Sequence, residues 1–117
     1  MKQDAEATAA PPAVLAEDPW MSQATRELAR GLLSLRDEEE ALRYLRDLCT
    51  VAEMEDLAER WQVARYLDEG LSYTEISRRT GASSATISRV SQWLRYGRGG
   101  YRLVLDRLAR QRSKRRT

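Results

Sequence analysis

The chain has 117 residues, with 20 Lys or Arg against 18 Asp or Glu for a formal net charge of +2, one Cys and no His. Without His there is no imidazole base, no Ser-His-Asp triad and no His metal site, and one Cys makes neither an intrachain disulfide nor a Cys-cluster zinc site. The length suits one small domain, and no run approaches the roughly 18 apolar residues of a membrane span. No cofactor, metal, enzymatic activity or membrane partner is expected, and the N-terminus lacks a leader pattern, so the expected compartment is the cytoplasm.

The charge is unevenly spread. It is −3 from Met1 to Met21 and −5 from Ser22 to Ser72, whereas twelve Lys or Arg against two acids leave +10 from Tyr73 to Thr117. Asymmetry of this kind predicts a polyanionic partner for the basic part. Residues 1–21 hold all three prolines and no sustained period, and are expected to form a disordered tail. The folded domain is expected over 22–110, with a polar, basic tail over 111–117.

Between the tails the apolar period is helical, and an all-α chain of about six helices is predicted. Leu28, Leu32 and Leu35 share one face of a first helix. Asp37 caps a second, with a buried stripe of Ala41, Leu42, Leu45, Leu48 and Cys49. Thr50-x-x-Glu53 is a capping box opening a long helix with apolar Met54, Leu57, Ala58, Trp61, Ala64 and Leu67, which ends at a left-handed Gly70. Ser72-x-x-Glu75 is a second capping box, starting a short helix from Tyr73 to Thr80. Ser83 or Ser84 caps the next, which runs to about Tyr96. Gly97, Gly99 and Gly100 follow, and Tyr101, Val104, Leu105 and Leu108 stripe a last helix.

The segment YTEISRRTGASSATISRVSQWL has the spacing of a helix-turn-helix over about 73–96. Such a motif needs an apolar and then a small residue in its first helix, met by Ile76 and Ser77, and a turn Gly, met by Gly81. Branched apolar residues must face inward from the second helix, as Ile87 and Val90 do at i, i+3. Its outer face is left with Ser84, Ala85, Ser88 and Gln92, small or polar groups that let backbone approach a groove. Arg78, Arg79, Arg95 and Arg98 are the expected phosphate contacts, and Ser83 stands with them at the helix start. An ordinary helical hairpin packed in a core is the plainer alternative.

From about Leu48 to Arg95 the chain resembles the Trp repressor superfamily, and from about Thr25 to Leu108 its YerC/YecD group. LCTVAEMEDLAERWQVARYLDEG, GASSATISRV and the trailing YG carry the resemblance. It implies an intertwined homodimer that presents two reading heads to successive major grooves of a palindromic operator in double-stranded DNA. It further implies base-edge contacts at Ser84, Ala85 and Ser88, a DNA contact at Thr74, and contacts near the backbone at Thr86 and Arg95.

The resemblance also implies a tryptophan pocket, with counterparts here at Thr50, Arg60 and Arg89. Two positions depart from it: Val90 stands where the repressor has Gly, and Trp93 where it has Ser. There is also one residue fewer between Gly70 and Gly81. Val90 and Trp93 are expected to fill the cavity, so that tryptophan is not the corepressor, while an effector of another identity stays open. The plainer alternative pairs Arg60 and Arg89 with Glu55, Asp56 or Glu59 at the surface. The function expected is that of a sequence-specific transcriptional regulator, in the first instance a repressor. The competing expectation is an RNA-binding or protein-adaptor role on the same helical scaffold.

Overall fold

Five of the six described helices start where a short polar side chain takes up an amide that the first turn leaves without a partner. Helix α1 (Gln23–Leu33) opens on Ser22, whose Oγ accepts from the Thr25 amide at 3.1 Å. Helix α2 (Glu38–Leu48) opens on Asp37, which accepts from the Glu40 amide at 2.9 Å. Helix α3 (Val51–Asp68) opens on the expected capping box: the Glu53 amide donates to Thr50 Oγ1 at 3.1 Å, and the Thr50 amide to Glu53 Oε1 at 2.9 Å. Helix α4 (Tyr73–Thr80), helix α5 (Ser84–Tyr96) and helix α6 (Gly100–Arg116) complete the order.

The computed structural model describes residues 18–116, which hold six helices and no strand. The all-α expectation is met. Most of the expected N-terminal tail, residues 1–17, lies outside the described residues. Trp20 within it is half-exposed, and its carbonyl accepts from Thr25 Oγ1 at 3.0 Å. The described residues form two compact units, divided within α3 between Ala58 and Glu59.

In the unit over 18–58, Gly31 on α1 lets the ring of Tyr44 on α2 lie where a side chain would otherwise stand. No side chain of α1 or α2 is buried. Leu28, Leu32, Leu42 and Leu48 are between 41% and 53% exposed, and Leu33 is 85% exposed. The stripe expected to be buried on α2 is therefore not: Leu42 and Leu48 are exposed, and Ala41, Leu45 and Cys49 are only half-buried. Two short amphipathic helices are too little cover for each other's apolar faces. Leu35 lies beyond the end of α1, because Ser34 closes that helix.

In the unit from Glu59 onward the core is small and complete. Val63 and Ala64 of α3, Ile76 of α4, Ala82 of the turn, and Ile87 and Val90 of α5 are buried together. Trp61, Tyr66, Leu67, Leu71 and Tyr101 pack around them. The apolar period marked Ala64 but passed over Val63, which is wholly buried. Helix α6 docks through Leu105, through Tyr101 stacked on Trp61 with centroids 6.2 Å apart, and through Arg102. Arg102 Nη2 donates to Asp68 Oδ1 at 2.7 Å and its Nε to Asp106 Oδ1 at 3.1 Å. Helix α6 then continues to Arg116, well past the end of its apolar stripe.

Candidate nucleic-acid interface

The turn between α4 and α5 is held by its own side chains. Ser77 Oγ donates to the Ala82 carbonyl at 2.9 Å. Thr80 Oγ1 donates to the Ile76 carbonyl at 2.8 Å and accepts from the Ala82 amide at 3.1 Å. Gly81 sits at φ +78, a left-handed conformation that costs a side-chain-bearing residue roughly 1–2 kcal/mol. With Ile76 and Ile87 both 0% exposed beneath it, the angle between the two helices is set by packing and hydrogen bonds alike.

The choice between Ser83 and Ser84 as cap is decided in favour of Ser83, whose Oγ accepts from the Thr86 amide at 3.1 Å. That leaves Ser84 as the first residue of α5, with its hydroxyl outward. Ser84, Ala85, Ser88 and Gln92 are all exposed, while Ile87 and Val90 face the core. Thr74, at the start of α4, is exposed too. Thr74, Ser77, Arg78 and Ser84, with Tyr73, line one open depression of about 490 Å³ between the two helix starts. Thr86 lies half-buried beside Ser83, 3.2 Å from its hydroxyl.

The arginines are not equivalent. Glu75 ion-pairs with both Arg78 and Arg79: Arg78 Nε donates to Glu75 Oε1 at 3.1 Å, and Arg79 Nε to Glu75 Oε2 at 2.7 Å. The guanidinium of Arg79 also lies 5.4 Å from the centroid of the Tyr66 ring, within cation–π range. Hydrogen bonds from Arg78 and then Arg79 lower the Glu75 pKa from 4.5 to about 2. Glu75 therefore does not close the second capping box. Ser72 Oγ accepts from the Glu75 amide at 3.1 Å, but the carboxylate turns to the arginines. Arg95 and Arg98 are exposed at and just beyond the end of α5. The i, i+3, i+4 spacing of Glu75, Arg78 and Arg79 was legible in the sequence as a pairing pattern. The Tyr66 ring behind Arg79 was not.

Because its folded pKa lies below its ordinary value, Glu75 adds stability above about pH 4.5 and loses it as pH falls toward 2. Thermal melts from pH 5 to pH 2 are expected to show a steeper fall in Tm for the native chain than for Glu75→Gln. Parallel curves would mean that the pairs contribute nothing to folding.

Of the residues expected at an effector pocket, Val90 is buried in the core and takes up space there. Trp93 does not fill a cavity: it is 59% exposed and forms a wall of an open apolar groove with Trp61, Tyr101 and Val104. Its side chain leaves the outer flank of α5, and among the described residues nothing covers most of it. Arg60 and Arg89 are exposed, and among the described residues neither makes an ion pair with Glu55, Asp56 or Glu59. Arg60 acts electrostatically on Tyr101, whose hydroxyl pKa is nevertheless raised by burial. Thr50 lies in the other unit, its hydroxyl engaged in capping α3.

This reading-head geometry coincides with a family match over most of the chain. Residues 23–109 match the family model of the Trp repressor protein. The chain belongs to the Trp repressor superfamily. Within it the chain falls in the YerC group, being 50% identical over 82 residues to YerC of Bacillus subtilis (strain 168), with 70% of this chain and 79% of YerC covered. A TrpR-like protein from Eubacterium eligens ATCC 27750 is similar in structure, with a TM-score of 0.72 and 44% identity, covering 75% of this chain and 91% of that one. A proposed Trp repressor from Staphylococcus aureus is similar with a TM-score of 0.75 and 38% identity, covering 83% and 96%. The Trp repressor family is a regulatory, helix-turn-helix one, and the expected family and all-helical protomer fold are both met.

Proposed function

We propose that this chain is a cytoplasmic, sequence-specific transcriptional regulator, acting as a repressor, that binds double-stranded DNA through the start of α5. One observation carries the reading. Ser84, Ala85 and Ser88 are small, outward and exposed at a helix start, and Thr74 shares a depression with Ser84, while Ile87 and Val90 anchor the opposite face. A helix so presented can approach base edges closely: Ser bonds to several edges and Ala packs on a thymine methyl. Free amides at the start of α5 suit a phosphate. Thr86, Arg95 and Arg98 take the backbone beside it. Arg78 and Arg79 approach it with Glu75 at their side, which tempers their charge and holds them in place. No step of the proposed function asks for chemistry, only for binding.

The acting species is a homodimer on a palindromic operator. Supporting this, α1 and α2 leave leucines exposed in one unit, and Trp93, Leu103 and Val104 are exposed in the other, apolar faces that a second copy can cover. Two-fold pairing then places two reading heads on half-sites about one helical turn apart. Tryptophan is not the corepressor, because Val90 occupies core space where an indole would need Gly. Arg60, Arg89 and Trp93 remain available to an effector of other chemistry.

Selection of bound duplexes from a random pool, run with and without free tryptophan, tests the reading. The expected outcome is one inverted-repeat motif with half-sites about ten base pairs apart, the same in both pools. Enrichment of no motif, or of single-stranded RNA over duplex in a mixed pool, favours the adaptor role and overturns the regulator. A motif that appears only with tryptophan overturns the corepressor statement alone.

A further inference from the structure

The family match ends at residue 109, but α6 does not. It continues as a helix to Arg116 through Arg110, Gln111, Arg112, Ser113, Lys114 and Arg115. We propose that this terminal part of α6 is a second nucleic-acid contact, a phosphate clamp that grips duplex DNA flanking the site read by α5. The proposal rests on the duplex-binding reading above and adds a separate surface to it.

Charge density is the first support. Residues 110–116 carry five Lys or Arg and no acid. At about 1.5 Å per residue that stretch is roughly 9 Å long, or one positive charge per ~2 Å. Duplex DNA presents one negative charge per ~1.7 Å of its axis, so the two line densities are closely matched in size and opposite in sign.

Exposure and anchoring are the second. Every residue from Asp106 to Arg115 is exposed. Yet its root is fixed: Leu105 is buried, Tyr101 stacks on Trp61, and Arg102 is tied to Asp68. Helix α6 also packs on α5. The cations therefore ride on the same unit as the reading helix, at a set distance from it. Arg112 is set apart, since it lines a cleft with Arg65, Asp68 and Glu69.

The partner's chemistry follows from what the segment lacks. After Ala109 no apolar residue occurs, so a protein partner finds no anchor to bury and a bilayer no apolar face to embed. A phosphate backbone needs neither. Like charges at i, i+4, as at Arg110 and Lys114, disfavour the helix by their spacing, and a bound polyanion relieves them.

The test uses the full chain with Arg110, Lys114, Arg115 and Arg116 all changed to Gln, leaving Arg112 in place. Anisotropy titrations of a 40-base-pair duplex carrying the selected motif are run from 50 to 200 mM salt. Neutralising four phosphate contacts on each protomer, eight on the dimer, is expected to reduce the slope of log K against log salt by about 7, so that the native chain loses roughly 10,000-fold more affinity over that range. Preference for the motif over scrambled duplex is expected to stay the same. A companion chain with Arg110, Arg115 and Arg116 all changed to Lys is expected to keep the native slope, which separates charge from folding. An unchanged slope in the Gln chain overturns the proposal. So does a larger slope change on single-stranded RNA of equal phosphate count. Failure of the reading-head assignment shows differently: Ser84→Glu would leave motif affinity untouched while the α6 slope change persisted.

Discussion

Ser84→Glu is expected to abolish motif-specific binding, lowering affinity by at least ~100-fold, while leaving the melting temperature within a degree or two of the native chain. The side chain is outward at the first position of α5, and Ser83, not Ser84, caps that helix, so the substitution costs no capping bond. An acid in the first turn is if anything favourable to the helix dipole. Against DNA the same carboxylate meets phosphates and acceptor-rich base edges, and juxtaposed like charges cost several kcal/mol. Anisotropy on the selected duplex reads the affinity, and a thermal melt of the same sample reads the fold. Native affinity would mean that another helix enters the groove. A collapse of the melt would mean that Ser84 is structural, which its exposure contradicts.

The second large effect is on stability. Ile87→Ala is expected to cost about 2–5 kcal/mol, because Ile87 is wholly buried between α3, α4 and the body of α5 and the site has little room to collapse. In a domain of this size that corresponds to a fall in Tm of more than ~10 °C. Leu33→Ala, at an 85% exposed position of α1, is the contrast. It is expected to leave the packing of the single chain alone and to act only through the proposed pairing of two copies, so its effect on Tm should shrink as the chain is diluted. Chemical denaturation at two protein concentrations separates the cases. An Ile87→Ala chain as stable as the native one would remove the core described here.

These two residues show how differently sequence and structure speak. Ile87 could be placed inside from its spacing with Val90, and Gly81 in the turn from its distance to Ser77, because helical period and left-handed backbone are local demands. Capping was local as well, and Asp37, Thr50 and Ser83 act as their types predict. Where a residue had two local options, the neighbours decided. Glu75 had the spacing to cap and to pair with Arg78 and Arg79, and the structure gives it to the arginines. Trp93 had the bulk to fill a pocket, yet it stands on the flank of α5 and lines an open groove. The stripe on α2 read as core and is exposed in the protomer, since apolar period says which face wants cover but not what supplies it.

The sequence alone determined the helices, most of their starts, the helix-turn-helix, and the concentration of positive charge after Tyr73. All of these follow from interactions within a few residues of one another, or from simple addition along the chain. The tertiary structure decided which apolar faces meet, which arginines already hold a carboxylate, and that α6 carries its cations out beyond a fixed root. Those outcomes depend on groups far apart in sequence, such as Tyr66 under Arg79, Trp61 on Tyr101 and Asp68 on Arg102, whose meeting no local pattern encodes.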